Sequence, residues 1–191
     1  MANNDAPFGL RPVRTGISAN QQNRYRIANN YGTAIFQGDL VKVVTGGGIE
    51  RVTASPGTDL ILGVFNGCFY TDPTTGKPTY SAYYPGSVAA DDIMATIIDD
   101  PSATFEVQAD AAFPVADLMG NFNIVATAGD TTSGMSRVEV GVSTGATTAT
   151  LPLKAIDISQ DPENSDVSSA NTNVIVKINN HLFSGGTAGL A

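Results

Sequence analysis

"ATFEVQAD", residues 103–110, is where the fold is decided. Phe105, Val107 and Ala109 fall on one side of an extended chain, and Thr104, Glu106 and Gln108 on the other. That period of two is the pattern of a β-strand. Comparable segments recur on both sides of it. "RYRIA", residues 24–28, sets Tyr25 and Ile27 against Arg24 and Arg26. "AIFQGDLVKVV" and "GGIERV" flank Gly46-Gly47-Gly48, which reads as a hairpin with a loose glycine turn. "LILGVFNGCFY", residues 60–70, is a long apolar strand with Gly63 and Gly67 as bulge or bend positions. "DDIMATIIDD" reads as a buried strand with wet ends, and "FNIVAT", "SRVEVGV", "LPLKAIDIS" and "NVIVKI" continue the series. In "LPLKAIDIS" the apolar phase moves from 151 and 153 to 156 and 158, which predicts a bulge near Lys154–Ala155. "PVADLM", residues 114–119, is the best helical turn in the chain.

About ten short strands with one or two helical turns predict a mainly β protein, a compact barrel or sandwich. Composition agrees. Of 191 residues, 42% are apolar and only 15% charged. The missing charge is replaced by Thr, Ser, Asn and Gly, which suits strands joined by turns. Neutral polar surface costs little to desolvate, as a chain packed against neighbours requires. The lone Cys68 excludes an internal disulfide. With no cation near it in sequence, it reads as a buried thiol acting as a small hydrophobe. The longest apolar run, "LILGVF", falls far short of the ~20 residues that span a bilayer, and residues 1–16 lack the apolar core of a secretion signal. A protein made and assembled in a cytoplasm, with no membrane partner, is the expectation.

The net charge of −8 is unevenly placed. Residues 1–30 hold Arg11, Arg14, Arg24 and Arg26 against Asp5 alone, while the rest holds six basic against seventeen acidic residues. An acidic body repels nucleic acid, whereas a basic leading segment is drawn to acidic protein surface. Two prolines and two glycines interrupt "NNDAPFGLRPVRTG", residues 3–16, so it cannot be a helix. The predicted organisation is an extended N-terminal arm over residues 1–23, a β-rich body over 24–180 and a flexible C-terminal tail over 181–191. Phe8 and Val13 pack either on their own body or on another subunit.

Catalytic constellations fail on named residues. "YTDPTTGKPT" contains Gly76-Lys77, but a phosphate loop requires glycine where Thr71 stands and a hydroxyl where Pro78 stands. "DISQDPENSDV", residues 157–167, spaces oxygens like a calcium loop, yet Pro162 replaces the turn glycine and Ser168 the bidentate glutamate. Asp91-Asp92 and Asp99-Asp100 bracket one strand, about 20 Å apart, so each pair reads as a turn cap. His181 is the only histidine, which excludes a multi-histidine metal site within one chain and reads as a surface or interface residue. Tyr83 and Tyr84 in "YSAYYPG" suit either sugar stacking or strand-edge packing. No catalytic, cofactor-binding or metal-binding residue is assigned, and no cofactor is expected.

"NNDAPFGLRPVR" resembles the opening of a group of small virion structural proteins of tailed bacteriophages, in which an N-D-A-P-F-G-[LF]-R-P-V-R-like leader precedes a β-rich body. "IIDDPSATFEVQAD", residues 97–110, resembles a second stretch of the same group, with D-D-P before an F-x-V-Q strand. The resemblance implies a head decoration or cement protein, synthesised in the host cytoplasm and bound to the outside of the mature capsid. Its partners would be the major capsid protein and further copies of itself, commonly as a homotrimer, with no direct contact to nucleic acid. On that reading Arg11 and Arg14 pair with acidic groups of capsid or neighbour, Phe8 is an apolar anchor, and Pro7 and Pro12 keep the arm extended. Leu182 and Phe183 form a second anchor. Two other roles remain open: another virion part of the tail or head-to-tail junction, and a carbohydrate-binding or adhesion module.

Overall fold

The computed structural model describes residues 2–14, 22–53 and 59–189. Among them are twelve strands: β1 (Arg11–Arg14), β2 (Asn23–Arg26), β3 (Leu40–Val43), β4 (Ile49–Arg51), β5 (Ile61–Thr71), β6 (Pro78–Ser81), β7 (Met94–Ile98), β8 (Thr104–Gln108), β9 (Asn121–Val125), β10 (Glu139–Ala146), β11 (Leu153–Ile158) and β12 (Asn173–Ile178). They form two antiparallel six-stranded sheets, so the mainly β expectation holds and the architecture is a sandwich, not a closed barrel. The first sheet runs β1-β8-β12-β11-β9-β10; the second runs β2-β7-β5-β3-β4, with β6 also on β5. Except for β1, the second sheet takes the first half of the chain and the first sheet takes the second half.

Sequence pattern explains the layering. The first sheet buries one alternating set, including Phe105, Val107, Leu153, Val174 and Val176, against Val64, Ile61 and Ile98 of the second. Where it overlies the first sheet, the second sheet is covered on both faces, which is why β5 and β7 read as near-continuous apolar runs. Ile61 and Val64 enter the core between the sheets, whereas Leu62, Phe65 and Cys68 face a second core. Ile27, Ile35, Tyr84, Val88 and Ile93 close that second core. Gly63 lets β5 and β7 approach closely: a Cβ there would stand 2.2 Å from the Ile98 carbonyl oxygen. At Gly67 the β5–β7 register shifts between Phe65 and Cys68, the bulge position expected. The β11 bulge lies between Ala155 and Asp157, one residue beyond its expected place. "PVADLM" forms a single 3-10 turn, Val115–Asp117.

β1 and β6 are the strands that the residue pattern missed. β6 holds the exposed Tyr80 and pairs only at one edge of β5. β1 contains Pro12 and a register shift between Pro12 and Arg14, so no alternation survives to be read.

Candidate interaction surface

The leader does not stand off as an arm as far as residue 14. It crosses the body in an extended course and ends as an edge strand of the first sheet. Asn3 Nδ2 donates to the Asp166 carbonyl at 2.8 Å, and the Ala6 N–H donates to Gln108 Oε1 at 3.1 Å. Gln108 Nε2 and Asn164 Nδ2 both donate to the Asn4 carbonyl. Gly9, at φ +71°, threads between Ser136 and Gly38, where a Cβ would come within 2.5 Å of the serine. The Leu10 N–H then reaches the Gly38 carbonyl at 3.0 Å, and its side chain enters the core between the sheets at 2% exposure. Arg11 pairs with Glu106, its cross-strand partner.

This course explains a departure from the strand pattern. Glu106 and Gln108 occupy the polar side of β8, yet both are buried. Arg11 and Ser159 cover the first, while Asn4, Ala6 and Asn173 cover the second. Backbone and side-chain partners from the leader make that burial affordable in hydrogen bonds.

The expected interface residues divide into two groups. Pro7 and Phe8 are half-buried; they line a hollow of about 610 Å³ with Met135 and Arg137. The Arg11 guanidinium lies over the Phe8 ring, 4.6 Å from its centroid. Pro12 is exposed opposite Phe105, and Val13 is 56% exposed at the register shift. Arg14 closes β1 opposite Thr104; its side chain lies outside the described residues, as do residues 15–21 of the expected arm. Phe8 thus stays half-buried at the surface, while Leu10 is the leader side chain that enters the core. Leu182 and Phe183 lie elsewhere, beyond the Ile61–His181 bridge, at 37% and 59% exposure.

The tail expectation also changes. Residues 181–189 are fastened to the body because polar side chains seize their backbone. Asn121 Nδ2 donates to the Thr187 carbonyl, Lys154 Nζ to the Ala188 carbonyl, and the Gly189 N–H to Thr147. His181 is fully buried, not a surface residue. Its Nδ1 accepts the Phe183 N–H at 3.1 Å, and burial pushes its pKa down against the opposing pull of Asp99 and Asp100.

Other polar groups are structural. Arg51 Nε lies 2.8 Å from Asp39 Oδ2 inside the protein, and Asp39 also accepts from Phe36 N–H and Ser136 Oγ. Asp99 accepts from Asn23 and Tyr25, raising the tyrosine, already lifted by burial, to about 12. Asp100 accepts from the Ser102 N–H within its own turn, the role expected of that pair, whereas Asp92 accepts from Thr71 at the end of β5 rather than within a turn of its own. Cys68 is buried, and desolvation pushes its thiol up to about 12. Among the described residues, no group of three His, Cys, Asp or Glu side chains is placed to hold a metal ion. Tyr84 is fully buried and donates to the Tyr31 carbonyl, and Tyr83 stacks on Phe36 with ring centroids 5.4 Å apart. Tyr84 is therefore closed to a sugar ring, and one face of the half-buried Tyr83 is taken by Phe36.

No protein-family model, curated protein or solved structure matches the chain.

Proposed function

We propose that the protein is a non-enzymatic structural part of a tailed-bacteriophage head, a decoration protein that binds the outer capsid surface and clamps neighbouring major capsid subunits. One observation carries this reading. The two stretches whose wording resembles that group, residues 3–14 and 97–110, lie far apart in sequence but form one unit: β1 pairs with β8, and Gln108 holds the backbone of Asn4 and Ala6. A leader fixed in this way presents Pro12 and Val13 at a sheet edge without an ordering cost on binding. Repetition around a shell, or within a homotrimer, then multiplies a small contact into firm attachment.

Deleting the leader would remove Leu10 from the core, so the test uses Val13→Asp and Phe183→Asp, both exposed positions. Purified protein is incubated with mature and with unexpanded capsids, and the bound copies are counted. Saturable binding at high copy number to mature shells, weakened by either substitution, is the expected result. Binding at a few copies only would move the protein to a tail or head-to-tail junction role. Failure to bind either shell would sink the virion reading.

A further inference from the structure

The second sheet extends beyond the first. Val64 and Ile98, on the face turned toward the first sheet, are buried in the shared core. A crevice of about 140 Å³ between Leu10–Pro12 and Val64, Asn66 and Ile98 marks where that cover stops. Two and four residues farther along β7, on the same face, Thr96 and Met94 are only half-buried. Cross-strand register extends the uncovered face in both directions. Arg24 stands opposite Thr96, Arg26 opposite Met94, Met94 opposite Phe69, and Phe69 opposite Tyr80. Phe69 is 43% and Tyr80 66% exposed, and both arginines are exposed.

The result is an apolar row, Tyr80–Phe69–Met94, ending in two cations. Arg24 and Arg26 make no ion pair among the described residues, although the chain as a whole carries a net charge of −8. β2 is the terminal strand of its sheet, paired along its length with β7 and bridged at Arg26 to Gly48. Charged edge residues alone would serve to repel unwanted strands, but that purpose does not call for an exposed apolar row with two aromatic side chains beside them. We infer that this overhanging face docks an acidic extended segment of another protein, its carboxylates meeting Arg24 and Arg26 and its apolar side chains covering Phe69, Tyr80 and Met94. The segment lies across the strands, from β2 over β7 and β5 to β6, and the charge pattern selects the partner. The inference stands apart from the virion role, since it uses neither β1 nor the tail.

The probe is a ten-residue peptide of five Glu followed by five Val and Phe residues, compared with its Lys-for-Glu counterpart and with an oligo-dT strand, by fluorescence anisotropy on the full chain. The acidic peptide is expected to bind, more weakly at high salt, and to lose about tenfold affinity in the Arg24→Glu/Arg26→Glu variant. Tyr80→Ala, on a different strand, is expected to weaken it as well, while thermal melting stays unchanged in both variants. Any of four results overturns the proposal: no binding of the acidic peptide, equal binding of both peptides, unaltered affinity in both variants, or tighter binding of oligo-dT. Self-association of the protein abolished by Arg24→Glu/Arg26→Glu would overturn it too, by assigning the face to a second copy.

Discussion

Leu10 and Phe8 stand two residues apart and have different fates. In sequence, Phe8 is the larger hydrophobe, and packing on its own body and contact with another subunit are both open to it. In the structure Gly9 turns the chain so that Leu10 enters the core, leaving Phe8 beneath the Arg11 guanidinium. Nothing in the leader itself reveals this, because the choice is made by Gly38 and Ser136 on the body. Leu10→Ala should therefore destabilise the protein by about 2–5 kcal/mol, the usual cost of emptying a buried leucine site, and Phe8→Ala by clearly less. Equal losses in chemical denaturation would show Phe8 as deeply committed to the body as Leu10. Cys68 was legible from its apolar neighbours alone. With its thiol buried and held near pKa 12, it should resist an aromatic disulfide reagent in native buffer and react only on unfolding. Rapid labelling of the folded chain would contradict that burial.

Among the elements, the strands with clean alternation or long apolar runs could be read directly, because burial of a face imposes a period on the residues. β1 and β6 could not, since each sits at an edge and owes its place to one neighbour. The buried state of Glu106 and Gln108 was equally hidden: it depends on the leader, almost a hundred residues away, crossing the polar side of β8. Gly63 and Gly67 were singled out in β5 on composition, and the structure separates their tasks into a close approach and a bulge. Gly63→Ala should cost about 3 kcal/mol, as overpacking against the β7 backbone forces the two strands apart. A melting temperature within error of the parent would show that β5 and β7 have slack between them.

For the whole molecule, the two ends settle how tightly the sandwich is closed. His181 locks the tail to β5 as a neutral imidazole, with Asp99, Asp100 and Lys177 as the charges that act on it. Its pKa lies below the usual 6.5, so between those values the unfolded chain binds a proton that the folded one refuses. Stability is therefore full above pH 6.5 and declines as pH falls below it. His181→Asn, whose side-chain oxygen can still accept the Phe183 N–H, should flatten the melting temperature between pH 6.5 and pH 5.5. Parallel curves for the two proteins would remove His181 from the account. The tail's attachment was not legible in "HLFSGGTAGLA", because its partners, Asn121 and Lys154, lie on strands that only the fold brings near.

β1 precedes every strand of the second sheet yet pairs with β8, in the other half of the chain. During translation the leader emerges before β8 and must wait for its strand partner. At about 5–20 residues per second, the interval between Arg11 and Glu106 lasts about 5–20 s. The second sheet has all its strands outside the ribosome before the leader has anywhere to dock, and through that interval the nascent chain carries an unpaired basic segment. Leu10 then reaches the core late, as the stitch that joins two halves already synthesised.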